Sequence, residues 1–391
     1  MYLTREEESI YKGDYGWALQ ICMKILVKLG DLYGASRLIP IDSAHASGVS
    51  YKTLGEAPKH FLKALAESGG KASVEATLNP KGVDTVHLVK RLPEKLVSKQ
   101  LELVKIFEDM GFKKSYTCTP YYIRKPKRGC HIAWAESSAV VYANSVLGAW
   151  TNREGGPSAL AAAIIGKTPD CGVHMETNRQ PNICVSVEAP LKSEVEYGAL
   201  GIYLGKILGD KTPLIKGLKN PSDENLKHLA AALASTGMVN MFHYREETSK
   251  TEDAEKLAVE PKNIKETIEK LTTSPKHMPD LVFIGCPHCS LKEIKQISEL
   301  IGNKKLRQDL ELWVCTSQHV KEKAAKQVKQ IERSGAKILT DTCAVVTWTE
   351  KLGIKTIMTN SAKTAHYAPT LNKANTILAP LKKCLKTALK E

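Results

Sequence analysis

The stretch Leu281-Val-Phe-Ile-Gly285, then Cys286-Pro-His-Cys289, then the run from Leu291 to Ile301 decides the fold. Four apolar residues closed by a glycine read as a strand buried on both faces, and the run that follows carries its apolar residues at helical spacing. The same alternation continues downstream. Glu311-Leu-Trp-Val-Cys315 is a strand followed by a helix from Val320 to Arg333. Ala336-Lys-Ile-Leu-Thr340 and Lys355-Thr-Ile-Met358 are further strands, and helical spacing returns from Pro380 to Leu389. Such a β-α-β-α-β succession builds a parallel sheet through right-handed crossovers, the Rossmann-like arrangement.

Upstream, Glu246 to Asp280 is polar and rich in Lys and Glu, with Pro261, Pro275 and Pro279. It reads as a surface helix plus connector and is the best place for a domain boundary. The expected division is an N-terminal α/β region over residues 1–275 and a C-terminal Rossmann-like lobe over 276–391. In the N-terminal region, strands are expected at Arg37 to Asp42, Ala72 to Leu78, Lys114 to Cys118, Asn182 to Glu188 and Met238 to His243. Helices are expected from Glu6 to Leu32 with Gly30 as the stop, and over Ala57 to Glu67, Pro93 to Met110 and Glu136 to Leu147. Ser43 to Tyr51 reads as a small-residue loop, and Gly198, Gly201 and Gly205 are spaced for close helix packing. The class is α/β.

Composition narrows the function. In 391 residues, 42% hydrophobic and 25% charged content excludes wholesale disorder. No apolar run reaches the roughly 18 residues of a membrane helix, and the acidic opening Arg5-Glu-Glu-Glu8 is unlike a signal peptide. A cytoplasmic protein is expected. Its ten cysteines are then core residues, metal ligands or reactive thiols rather than disulfides. Of the 56 basic residues, 46 are Lys and ten Arg. Nucleic-acid surfaces favour clustered Arg with aromatics, and aromatics are only 6% here, so neither nucleic acid nor membrane is expected as a partner. The positive field (+14) suits an anionic small substrate. Gly166-Lys167-Thr168 resembles the end of a phosphate loop, but Ala161 stands where the earlier glycine is required, so no nucleotide site is indicated.

Cys118, Cys286, Cys315 and Cys343 each fall at or just past the end of an expected strand, the edge where open α/β sheets bind ligands. Cys286-Pro-His-Cys289 alone suits a redox pair or half a zinc site, but no second such pair exists. An iron–sulfur cluster held by three cysteines from separate strand ends is the alternative, with one iron free to act as a Lewis acid. Cys22, Cys184 and Cys384 read as core.

A set of motifs, in order over essentially the whole chain, resembles the large subunit of the aconitase X family. They are Tyr2-Leu-Thr-Arg-Glu-Glu-Glu8, Ser47-Gly-Val-Ser-Tyr51, Thr77-Leu-Asn-Pro80, Thr117-Cys-Thr-Pro120, Glu136-Ser-Ser-Ala139 with Ala143-Asn-Ser-Val146, and Thr151-Asn-Arg-Glu-Gly-Gly156. Gly285-Cys-Pro-His288, Asp341-Thr-Cys343 and Lys363-Thr-Ala-His-Tyr367 complete it. The resemblance implies an aconitase-superfamily-like fold of several Rossmann-like α/β lobes around a central cleft, without the swivelling domain, which a small subunit supplies. It implies an iron–sulfur hydro-lyase, with a 4Fe–4S cluster (3Fe–4S when oxidised) on Cys118, Cys286 and Cys343. Cys289 could neighbour or replace Cys286, which is preferred because it follows the strand directly. Chains without a fused partner resemble the archaeal form, which dehydrates (R)-mevalonate 5-phosphate to trans-anhydromevalonate 5-phosphate in isoprenoid synthesis. Bacterial relatives dehydrate cis-3-hydroxy-L-proline, the alternative substrate; an RNA-associated iron–sulfur sensor is a distant third reading.

The same resemblance places substrate contacts at Gly48, Val49, Ser50, Asn79, Pro80, Asn144 and Ser145. The residues agree with such roles. Gly48-Val49-Ser50 is a small-residue loop able to offer backbone N–H groups and a hydroxyl to an anion. Pro80 holds Asn79 extended. Arg153 could fork onto a carboxylate or phosphate, or pair with Glu154, and Lys363 could act as a point charge for the substrate. His45, His131, His288 and His366 are expected to be hydrogen-bonded structural residues. Glu136 is the candidate in-chain carboxylate for orienting groups or exchanging protons; the resemblance puts the main base, a serine, on the small subunit.

Overall fold

The computed structural model describes residues 1–245, 255–274 and 278–390. Among them lie the strands β1 (Leu38–Pro40), β2 (Ser43–Ala46), β3 (Glu75–Leu78), β4 (Ala133–Trp134), β5 (Lys167–Pro169), β6 (Ile183–Val187) and β7 (Pro213–Lys216). They continue with β8 (Glu255–Val259), β9 (Leu281–Ile284), β10 (Glu311–Thr316), β11 (Lys337–Thr340), β12 (Thr356–Thr359) and β13 (Asn375–Leu378). They form a β3-β2-β4 sheet, a β7-β6-β8 sheet and a five-stranded β11-β10-β9-β12-β13 sheet, each wholly parallel, plus the antiparallel ribbon β1-β5. Helices connect and cover the parallel strands, as parallel sheets require. The α/β expectation holds.

The five-stranded sheet has two unlike faces. On one, Val282, Ile284, Leu312, Val314, Ile338 and Met358 pack against helices of its own lobe. Those helices are Leu291–Ile301, which buries Ile294, Ile297 and Ile301; Ala325–Arg333, which buries Val328 and Ile331; and Leu381–Ala388, which buries Leu385 and Ala388. On the other face, Leu281, Phe283, Trp313, Cys315, Leu339 and Ile357 lie in one cluster with Val83, Leu88, Leu92 and Val97, brought from the N-terminal region. Cys286 and Cys343 belong to that second cluster, whereas Cys289 belongs to the first. Gly285 makes the turn possible. Its φ is +110°, and a Cβ there would stand 2.3 Å from the Cys315 carbonyl oxygen.

In the middle region, the helices Glu194–Leu208 and Asp223–Thr236 touch backbone to backbone. A Cβ on Gly201 would meet Leu229 O at 2.6 Å and Ala232 Cβ at 2.7 Å, as the glycine spacing predicts.

Several local expectations need correction. The first helix is two, Arg5–Lys12 and Trp17–Leu32. Gly13 and Gly16 take φ of +105° and +92° and break it, while Gly30 stays helical beneath Met1. The presumed loop after Asp42 begins with β2, the central strand of its sheet, whose Ser-Ala-His-Ala sequence has no strand-like alternation. Glu136 to Leu147 is an α-helix over Ser137–Tyr142 that widens into a π-turn over Ala143–Leu147. Val320 to Arg333 is two short helices, Gln318–Lys323 and Ala325–Arg333. Met238 to His243 is not a strand: His243 alone bridges Leu214, while the Asn240 carbonyl and the Phe242 N–H are taken by the side chains of Asn144 and Ser145. Strands β4, β5, β7, β8 and β13 escape the sequence reading, and Lys114 to Cys118 is not a strand: Tyr116 alone bridges Leu78. Pro275 and the junction between 275 and 276 lie outside the described residues.

Candidate functional site

Six strands of two parallel sheets end at one place. β2 runs into Gly48-Val49-Ser50, β3 into Asn79-Pro80 and β4 into Glu136; β9 leads to Cys286, β11 to Cys343 and β12 to Lys363. Cys118 follows Tyr116, which bridges the last residue of β3. Direct bonds tie the two edges together. Ser50 Oγ donates to Val346 O at 2.8 Å, Lys81 N–H to Asp341 O at 2.9 Å, and Lys52 Nζ to Thr347 O at 2.7 Å. The N-terminal loops therefore grip the segment carrying Cys343 from both sides.

A chain of polar side chains crosses the junction. Lys363 Nζ lies 2.6 Å from Glu136 Oε1, which also accepts from the Ser138 hydroxyl at 2.6 Å. Glu136 Oε2 accepts from Asn79 Nδ2 at 2.9 Å. The Asn79 amide is thereby oriented, so its oxygen faces His45 Nε2 at 2.8 Å, and that ring nitrogen must carry the proton. His45 Nδ1 then accepts from the Thr77 hydroxyl at 2.7 Å. Burial pushes His45 down to about 4 despite Asn79 and Glu136 pulling the other way, so the ring is neutral. For Glu136, burial favours the neutral acid, but the Lys363 ammonium and the bonds from Lys363, Ser138 and Asn79 outweigh it and hold the carboxyl at about 2. Burial likewise works against the Lys363 charge and Glu136 overcomes it, leaving the ammonium well above its usual range. The pair is ionised and buried.

Beside this pair stand the thiols of Cys118, Cys286 and Cys343, all buried and free. Burial pushes Cys118 well up, and the charge on Glu136 and a thiolate on Cys286 push it the same way. Cys343 is raised to about 12 by burial and by Cys286. The sulfurs thus lie within electrostatic reach of one another, and the Lys363 ammonium offsets part of their repulsion. Among the described residues no three His, Cys, Asp or Glu side chains close around a single metal ion. The donor set fits a polynuclear group instead. Three thiols from three loops stand within electrostatic reach of one another, Cys118 Sγ accepts a backbone N–H from His288 at 3.2 Å, and Thr342 Oγ1 beside Cys343 is buried without a partner.

Two other cysteines stand apart. Cys289 is packed among apolar residues on the far face of the sheet, so the structure gathers Cys286, not Cys289, with Cys118 and Cys343. Cys315 lies on the Cys343 face within β10.

Not every expected contact residue points here. Asn144 is saturated: its amide donates to Thr151 O and Asn240 O, and its oxygen accepts from Thr151 N–H and Arg179. Ser145 Oγ accepts from Phe242 N–H. Both line a separate cavity of about 390 Å³ with Arg128, Arg179 and His243. Arg153 donates to Gly237 O at 2.5 Å and Ala234 O at 3.0 Å, capping the C-terminal end of the helix Asp223–Thr236; it neither pairs with Glu154 nor sits free, although it feels the Glu136 charge. Sequence reasoning missed Gln100, whose amide joins Val49 O to the N–H groups of Tyr51 and Gly82. A buried glutamine on the apolar stripe of the helix Glu94–Asp109 was the available signal. It also missed Lys227, whose signal was a lysine between Leu226 and the apolar run that begins at Leu229.

Comparison with known proteins agrees over the whole chain. Family models described as aconitase X first, second and third domain match residues 1–177, 181–275 and 279–390. The phosphomevalonate dehydratase large subunit of Methanocaldococcus jannaschii is 47% identical, with 99% of this chain and 100% of that protein covered. A cis-3-hydroxy-L-proline dehydratase of Pseudomonas aeruginosa is 32% identical over 98% of this chain and 69% of its own length. The crystal structure of Thermococcus kodakaraensis aconitase X, in its holo form, superposes with a TM-score of 0.93 at 43% identity, covering 99% of this chain and all of that one.

Proposed function

The chain belongs to the aconitase X family, and from that premise we propose that it is the large subunit of a hydro-lyase dehydrating mevalonate 5-phosphate. The observation that carries this reading is the meeting of three buried thiols with the ionised Glu136–Lys363 pair where six parallel strands end. Relatives named phosphomevalonate dehydratase large subunit range from 36 to 47% identity, against 31 and 32% for the cis-3-hydroxy-L-proline dehydratases, which favours the phosphorylated hydroxy acid.

Cys118, Cys286 and Cys343 would hold an iron–sulfur cluster, 4Fe–4S in the active form. When bound, such a cluster supplies a Lewis-acidic iron with an open position. The residues of the chain supply position and charge. Lys363 presents a fixed cation to the anionic substrate. Glu136 holds that cation and the Asn79 amide, and His45 holds Asn79 from behind. With Oε1 and Oε2 both occupied and its proton affinity held low, Glu136 is an orienting carboxylate rather than the group that takes the proton from carbon. In dehydration the C–H proton goes to a base, the adjacent C–O bond breaks, and the hydroxide leaves as water once protonated. Relatives carry "large subunit" in their names, which supports a smaller partner chain, and to that chain we assign the swivelling domain and the serine that acts as base. Ten free cysteines suit a reducing compartment, and we place the enzyme in the cytoplasm.

The test is an air-free preparation of the complex with its small subunit, assayed for water loss from mevalonate 5-phosphate and from cis-3-hydroxy-L-proline. Turnover of the phosphate alone is expected. Turnover of hydroxyproline alone would reassign the substrate, and no turnover of either by an iron-loaded complex would remove the dehydratase reading.

A further inference from the structure

His288 lies two residues after Cys286 and is fully buried, and each of its four polar atoms is used by a different part of the site. Its backbone N–H donates to Cys118 Sγ at 3.2 Å. Its Nε2 stands 2.9 Å from Thr342 O, next to Cys343. A carbonyl can only accept, so Nε2 carries the proton, and the bare Nδ1 accepts from the Thr117 hydroxyl at 3.0 Å, next to Cys118. Its own carbonyl accepts from Lys227 Nζ at 3.1 Å. Lys227 is buried, ion-paired with Glu293 and set over the Tyr122 ring, so the middle region anchors the whole arrangement. The Thr117 hydroxyl also accepts from Thr119 N–H at 3.1 Å, which stiffens the turn around Cys118.

We propose that His288 is a positioning residue that fixes the spacing of the Cys118, Cys286 and Cys343 thiols by bonding all three loops to one imidazole and its own backbone. No two of these loops are neighbours in sequence, and they belong to two sheets: Cys286 and Cys343 follow strands of the five-stranded sheet, whereas Cys118 stands beside β3 of another. Without a common fastener, each thiol would take its place only as well as its own strand end allows. A neutral ring with one donor and one acceptor suits this role, since a protonated ring could not accept from Thr117. Ring orientation set by partners one step removed from the ligands is how metal sites are held to geometry. The inference rests on the cluster reading above.

The experiment uses the iron-loaded complex prepared without air, and follows release of iron to a ferrous chelator together with the visible thiolate-to-iron absorption. His288→Ala is expected to release iron about tenfold faster or more. Thr117→Val, which keeps the shape and removes only the hydroxyl, is expected to do so several-fold, with unfolding of its iron-free chain unchanged. His174→Ala removes an equally buried histidine bonded to His131 and is expected to release iron at the unmutated rate. If His288→Ala does not fold, Thr117→Val decides. Unchanged release from the folded variants would overturn the role of His288 while leaving the cluster in place. An unmutated complex that takes up no iron would remove the cluster reading, and this proposal with it.

Discussion

The two faces of the C-terminal sheet are made from the same five strands and differ in almost every other respect. One is closed by helices that directly follow its strands, each burying Ile, Val or Leu at helical spacing. The other is closed by Val83 to Val97 from a distant part of the chain, and at its edge stand two thiols, a lysine and the loops that grip them. The first face is a core whose cover is encoded next to it. The second becomes a site because its cover must come from elsewhere, and two sheet edges therefore meet with polar groups between them.

The sharpest way to break this contrast is to remove thiols from each face. Cys118→Ser, Cys286→Ser and Cys343→Ser are each expected to abolish bound iron and lower turnover by about 10³-fold or more, read by iron analysis and kcat. Should Cys289→Ala do the same, the division between faces fails.

Charge gives the next effect. Glu136→Gln is expected to cut kcat by roughly 10²- to 10³-fold with iron content intact, because the Lys363 ammonium and the Asn79 amide lose their common acceptor. Lys363→Met should cost a similar factor. The double variant should be little worse than either single one, since both act through one pair.

On the apolar face, Ile297→Ala is expected to lower stability by about 2–5 kcal/mol in denaturant titration while leaving the iron content of the folded fraction unchanged. Acid should act on the other face. His45 and His288 are held neutral with pKa values of about 4, against 6.5 when exposed. Between pH 6.5 and 4 the unfolded chain therefore binds more protons than the folded one, and stability falls as pH falls through that window, by about 3 kcal/mol for each ring. Above pH 6.5 these rings add no slope. A melting temperature flat from pH 7 to 4 would contradict the assignment. Cys289→Ala comes last, with a loss under about 2 kcal/mol from a small buried void.

Legibility in sequence follows the same division. Leu281 to Ile284 and the helices after them were readable because burial on both faces and helical periodicity are local patterns. Strand-end cysteines were readable as a group because parallel strands end on one side, and the strand directly before Cys286 pointed to it over Cys289. What escaped depends on partners far away in sequence. The strand Ser43–Ala46 has small residues and no alternation, yet it is central because β3 and β4 pair with it. Asn144 and Ser145 sit on a π-turn whose neighbours, Asn240 and Phe242, no local pattern reveals. His288 read as a structural histidine, and its bonds do hold structure; which loops they join could not be seen from Cys286-Pro-His-Cys289 alone.

The borrowed cover over the second face has a consequence for how the chain is made. Synthesis runs from the N-terminus, so Val83 to Val97 leave the ribosome well before the strand at Leu281. At about 5–20 residues per second the delay is on the order of ten to forty seconds. During that interval the cover has nothing to lie on, and a C-terminal lobe released alone by truncation would show Phe283, Trp313 and Leu339 to water. Early and late parts of this polypeptide complete one core together, and Cys118 can meet Cys286 and Cys343 only after β9 and β11 have been made.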